Sequence, residues 1–132
     1  MSQPARKILV VEDEPDQVDY LSTVLTDNGY GVISAADGME GFAKAKSEQP
    51  DLITLDISMP NESGVRMFRD LQEDPATAGI PVVVITGISH DFKRFIETRR
   101  QVHPPAGYLE KPVKPEQLVS TIRELLGGGS ST

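Results

Sequence analysis

The strongest constraint on the fold is an alternation between two kinds of apolar pattern. Short continuous runs rich in β-branched residues occur at "KILVV" (7–11), "GVISA" (31–35), "LITLD" (52–56), "PVVVIT" (81–86) and, by position, "GYLE" (107–110). The first of these fits a strand buried on both faces, and the others are expected to be strands as well. Each is followed by a stretch with helical spacing. Val18, Leu21, Val24 and Leu25 recur after Pro15, which suits a first helical turn, and the pattern stops at Gly29. Met39, Phe42 and Ala43 predict a second helical face ending before Pro50. Val65, Phe68 and Leu71 predict a third, after a loop "ISMPNES" and closed by "EDP" at 73–75. Phe92, Phe95 and Ile96 predict a fourth, and Leu118, Ile122, Leu125 and Leu126 a fifth. Five strands alternating with five helices through short loops imply an α/β protein: a parallel sheet covered by helices on both faces.

A chain of 132 residues fits one such domain, expected over 1–126, with the Gly/Ser-rich segment 127–132 as a flexible tail. The chain contains no cysteine, which excludes disulfides and thiolate metal sites. The polar start "MSQPARK" and the four-residue run "ILVV" do not make a secretory signal. No segment approaches the roughly 18 apolar residues of a membrane span, so no membrane association and a cytoplasmic location are expected. A net charge of −7 argues against direct nucleic-acid binding. The acid is concentrated: Glu12, Asp13, Glu14, Asp16 and Asp19 lie together. Part of that run serves a helix N-terminus.

In an open parallel sheet, ligands bind beyond the carboxyl ends of the strands. What stands there is a chemical set. Glu12 and Asp13 follow the first strand, Asp56 ends the third, Thr86 ends the fourth, and Lys111 follows the fifth. Three converging carboxylates repel one another unless a cation lies among them. An all-oxygen set favours a hard cation, Mg²⁺ first, with Mn²⁺ or Ca²⁺ as alternatives. With an ammonium and a hydroxyl added, the set suits a phosphoryl group, and Asp56 is then the nucleophile.

The pieces "LVVEDE", "ITLDISMP", "VVVITG" and "GYLEKPV", in this order and spacing, resemble the receiver domain of two-component response regulators. The resemblance runs from about Lys7 to Leu126. It implies a doubly wound, flavodoxin-like (βα)5 fold with strand order 2-1-3-4-5. It implies that Asp56 is the phosphoacceptor, charged by a sensor histidine kinase or phosphotransfer protein with Mg²⁺, or Mn²⁺, as cofactor. Asp13 becomes a direct metal ligand, Glu12 a ligand acting partly through water, and Ser58 the source of a backbone carbonyl. Thr86 becomes the switch hydroxyl, Lys111 the phosphate-binding lysine, Tyr108 the aromatic switch, and the bond before Pro112 is expected to be cis. The chain is then a signalling switch rather than an enzyme, limited to its own phosphorylation and dephosphorylation. It is expected to be a monomer or a phosphorylation-dependent dimer, with an output partner docking on the fourth helix, fifth strand and fifth helix.

Two rivals belong to other classes. A degenerate receiver acting only as a scaffold is disfavoured by the intact acidic set. An aspartyl-phosphate phosphatase commonly carries a second Asp two residues after the nucleophile, where this chain has Ser58. Between Thr86 and Lys111 the chain departs from the commonest family pattern. His103-Pro104-Pro105 predicts an end of the fourth helix near Val102, and Ile88, with Ser58, predicts slow loss of phosphate. Lys93, Arg94, Arg99 and Arg100 give the fourth helix a basic face that suits an acidic partner, whereas His90 and His103 are expected at the surface.

Overall fold

The computed structural model describes residues 6–87 and 105–127. Strands β1 (Lys7–Val11), β2 (Gly31–Ala35), β3 (Leu52–Asp56), β4 (Val82–Thr86) and β5 (Gly107–Glu110) form one sheet in the order 2-1-3-4-5, every neighbouring pair parallel. Helices α1 (Pro15–Asp27), α2 (Gly38–Glu48), α3 (Ser63–Glu73) and α4 (Pro115–Leu126) connect or follow them. The segment expected to form the fourth of five helices lies outside the described residues, so α4 here is the last helix. Ile88, His90, His103, the basic cluster and most of the His-Pro-Pro connector lie outside them too, as does the tail beyond Gly127.

The two-residue period of each strand explains why its apolar runs are continuous. Along β1, Ile8 and Val10 join Leu21 and Leu25 of α1 and Leu118 and Ile122 of α4 in one core. Leu9 and Val11 join Ala45 of α2 and Met67, Phe68 and Leu71 of α3 in the other. Along β4, Val83 and Ile85 face the first core, Val82 and Val84 the second. Ordered this way, one strand supplies both layers, and every inward residue of β1, β3 and β4 is buried.

Local chemistry sets the ends of the elements. Gly29 adopts φ 91°, the left-handed conformation that closes α1, and Tyr30 N–H returns to Leu25 C=O (3.1 Å). Asp37 caps α2 by accepting from Glu40 N–H (2.8 Å), and the Glu40 carboxylate accepts from Ala36 N–H (2.8 Å). Pro81 falls just outside β4, having no N–H for the ladder, although its carbonyl still accepts from Ile53 N–H (3.0 Å).

Two local expectations are corrected. Met39 does not face the core: it is 85% exposed, and Ala43 is exposed as well. The inward side of α2 is instead Gly38, Gly41, Phe42 and Ala45. Small residues carry this face because α3 comes close: a Cβ on Gly38 would lie 2.3 Å from the Ser63 carbonyl oxygen. The loop after β3 also contains one 3₁₀ turn, Pro60–Glu62, before α3 begins.

Candidate functional site

Parallel pairing places the carboxyl ends of all five strands on one edge. Asp56 closes β3 there and is 3% exposed, so its apolar strand holds it rigidly at the rim. Its two oxygens have different partners. Oδ1 accepts from the Ser58 amide (2.9 Å) and the Ser58 hydroxyl (2.7 Å), an Asx-type turn that a following Ser can complete. Oδ2 accepts from Lys111 Nζ (3.1 Å), delivered from beyond β5.

Lys111 is shared. Its ammonium also lies 3.4 Å from Glu12 Oε1 and 3.7 Å from Glu14 Oε1. The Glu14 side chain is 69% exposed, and a pair that loose and wet is worth little. Glu12 is 1% exposed; its Oε2 accepts from Glu14 N–H (3.2 Å), while buried Oε1 has the long ion pair to Lys111 and no other partner among the described residues.

These contacts push the titrations apart. Burial, then the Asp56 charge and a carboxyl–carboxylate hydrogen bond open only to the protonated form, raise Glu12 from its ordinary 4.5 to about 7. Burial also pushes Asp56 up, but the hydrogen bonds from Ser58, then Glu12 and the Lys111 charge, outweigh it and hold Asp56 below its usual value. Burial works against the Lys111 ammonium as well, and the Asp56 and Glu12 carboxylates overcome it, raising Lys111 above its usual value.

Glu12, Asp13 and Asp56 each offer an oxygen, all within 4.8 Å of one another. Two of these residues are buried and Asp13 is exposed, so the cluster opens to solvent on one side. The donor set contains only carboxylate oxygen, and Glu12 Oε1 has only a long ion pair to Lys111 among the described residues. Both facts fit a hard metal ion held between the three.

The other expected site residues lie as follows. Thr86 ends β4 fully buried, and its carbonyl accepts from Lys111 N–H (2.8 Å), which ties the two loops together. The Lys111–Pro112 peptide is cis. Tyr108, on β5 opposite Val84, is 60% exposed. Ser58 reaches Asp56 through its amide and hydroxyl. The expectation for Ser58 was a backbone carbonyl and, with Ile88, an influence on phosphate loss; its bonds to Asp56 are additional, although Asp-x-Ser is itself a readable turn signal. The placement of Glu14 beside Lys111 and the bond from the Tyr20 hydroxyl to the Val113 carbonyl have no counterpart in the sequence expectations.

The model of the response regulator receiver domain family matches residues 8–123. The chain is 34% identical to the protein PilH of Pseudomonas aeruginosa over 122 residues, covering 92% of this chain and 98% of PilH. It is 35% identical to the phosphate regulon transcriptional regulatory protein PhoB of Escherichia coli over 124 residues. That match covers 92% of this chain but 52% of PhoB, so the chain spans about half the length of that regulator. The structure superposes on the chemotaxis protein CheY4 of Vibrio cholerae with a TM-score of 0.80 at 30% identity, covering 92% of this chain and 99% of CheY4. With its sheet order, its acidic edge and these matches, the chain belongs to the response regulator receiver family.

Proposed function

We propose that this chain is a phosphoacceptor switch in which Asp56 takes a phosphoryl group from a phosphohistidine on a sensor histidine kinase or phosphotransfer protein. The observation that carries the reading is the asymmetric setting of Asp56: one oxygen is held by Ser58, and the other faces the Lys111 ammonium beside Glu12 and Asp13. The carboxylate is kept ionised, as a nucleophile requires. An Asp56 oxygen attacks phosphorus, a P–O bond forms, and the P–N bond of the phosphohistidine breaks. The imidazole leaves and takes up a proton. Glu12, Asp13, Asp56 and the Ser58 carbonyl would hold Mg²⁺, or Mn²⁺, which when bound would supply positive charge to the phosphoryl oxygens. Lys111 neutralises a further oxygen as a point charge, and the Thr86 hydroxyl donates to another.

Conversion of Asp56 to an acyl phosphate changes the partners of Thr86 and Lys111. Because the Thr86 carbonyl and the Lys111 amide are bonded, the two loops move together, and exposed Tyr108 on β5 reports the change to an output partner. That partner docks across β5, α4 and the segment before β5, either as a separate protein or as phosphorylation-dependent pairing of two copies. The chain turns over no substrate beyond its own phosphoryl group. Ser58, in place of a second acid, favours this reading over a phosphatase. A cytoplasmic location goes with it; among the described residues no helix is long and apolar enough to cross a membrane.

Incubation with acetyl phosphate and Mg²⁺ tests the reading. The expected result is one base-labile, acid-stable phosphate per chain, absent from Asp56→Asn. No incorporation by the wild-type chain, or equal incorporation by the variant, refutes it.

A further inference from the structure

Lys111 begins a four-residue connection, Lys111-Pro112-Val113-Lys114, between β5 and α4. Its first residue is tied down by the Thr86 carbonyl. At the far end, α4 starts its ladder with Leu118 N–H on the Lys114 carbonyl (3.0 Å). The Val113 carbonyl therefore sits just outside the helical ladder and needs a donor from elsewhere. The donor comes from 93 residues away: the Tyr20 hydroxyl on α1, at 2.7 Å. The Val113 side chain is buried in the core shared by Leu21 and Leu25 of α1 and Leu118 and Ile122 of α4, so the connection is gripped by its side chain and by its carbonyl. Tyr20 is 37% exposed, and its helix starts immediately after Glu12, Asp13 and Glu14.

We propose that Tyr20 is a positioning residue for the phosphoryl site: its hydroxyl, bonded to the Val113 carbonyl, holds the lysine-bearing connection at a fixed distance from the helix that follows the acidic pair, and so holds Lys111 over Asp56. The proposal rests on the phosphoacceptor reading and extends it to a residue that touches neither phosphate nor metal. The Lys111 ammonium lies within 4 Å of Asp56, Glu12 and Glu14; without the brace the connection that carries its long, flexible stem is free to shift, and the ammonium loses its fixed place beside Asp56. The ordering lost then has to be restored whenever a phosphoryl group binds.

The test is a double-mutant cycle. Affinity for beryllofluoride with saturating Mg²⁺, a phosphoryl mimic, is measured for wild type, Tyr20→Phe, Lys111→Ala and the double variant, with urea midpoints for all four. Phenylalanine keeps the ring and removes only the donor. The expected result is roughly three- to tenfold weaker binding in Tyr20→Phe, the worth of one hydrogen bond, and no further loss when Tyr20→Phe is added to Lys111→Ala. A purely structural role lowers the urea midpoint in both backgrounds but does not make the affinity loss depend on Lys111. Unchanged affinity in Tyr20→Phe, or an equal loss in both backgrounds, overturns the proposal alone. A wild-type chain that does not bind the mimic overturns the phosphoacceptor reading and the proposal with it.

Discussion

Replacing Glu12 with glutamine should stabilise the metal-free protein at pH 8 and leave it nearly unchanged near pH 4.5. Glu12 is almost fully buried beside a second carboxylate, and the folded chain keeps its proton up to about pH 7, whereas the unfolded chain releases it near 4.5. Between those values the folded state binds more protons, so stability falls as pH rises through the window. At about 1.4 kcal/mol for each pH unit, the loss is roughly 3 kcal/mol by pH 8. That is a large part of the roughly 5–15 kcal/mol by which a domain is folded. The neighbouring groups do not mask the effect. Asp56, held below its usual value, contributes stability that is lost only on acidification below the window. Lys111, raised above its usual value, contributes stability that is lost only in strong base. Glutamine mimics the protonated acid, so its profile should be flat across the window. Urea midpoints measured from pH 4.5 to 8 in EDTA check this. Mg²⁺ at pH 8 should then stabilise wild type more than Glu12→Gln, because binding to the folded state alone adds stability. Parallel pH profiles for the two proteins, or a variant less stable than wild type at pH 8, would refute the reasoning.

Two further substitutions probe the frame that carries the site. A Cβ on Gly64 would lie 2.4 Å from the Asp56 carbonyl oxygen and 2.9 Å from Ile57 Cα, so Gly64→Ala must displace the backbone that holds Asp56. It should cost about 2–3 kcal/mol in urea unfolding and slow acetyl phosphate labelling by roughly tenfold or more, since a displacement of about 1 Å has large kinetic consequences. Thr54 lies in register between Val10 and Val83 at the centre of the sheet, and its hydroxyl is buried without a hydrogen-bond partner among the described residues. Thr54→Val should therefore stabilise the fold by about 1 kcal/mol with labelling unchanged; a destabilised variant would mean that the hydroxyl has a partner after all.

β1, β3 and β4 were readable because burial on both faces forces continuous apolar runs, whereas the edge strands β2 and β5 are only partly buried, and β5 was readable by its position alone. The site was readable because a parallel sheet sends every strand end to one edge, so Glu12, Asp13, Asp56, Thr86 and Lys111 could be brought together by counting elements alone. Other features required three dimensions. Met39 passed for a core residue because a helix that buries glycine and alanine has few apolar side chains to show, and the exposed methionine completed a plausible stripe. The hydroxyl of Ser58 was legible as turn chemistry but was overlooked beside the carbonyl role. The bond from Tyr20 to Val113 leaves no sequence signal, since nothing in either residue type marks a partner 93 positions away. The raised Glu12 carboxyl depends on how deeply one of two adjacent acids is buried, and adjacency in sequence does not distinguish Glu12 from Asp13.

The direction of the strands has a consequence for how such a unit can be joined to others. β1 enters the sheet at its amino edge, and α4 runs back against the strands and leaves at that same edge, while Asp56 and its neighbours crown the opposite one. Arg6 and Gly127 thus emerge on the side away from the chemistry. A module attached at either point hangs below the sheet and leaves the edge that carries Asp56 open; on the phosphoacceptor reading, attachment and reaction then do not compete for the same ground.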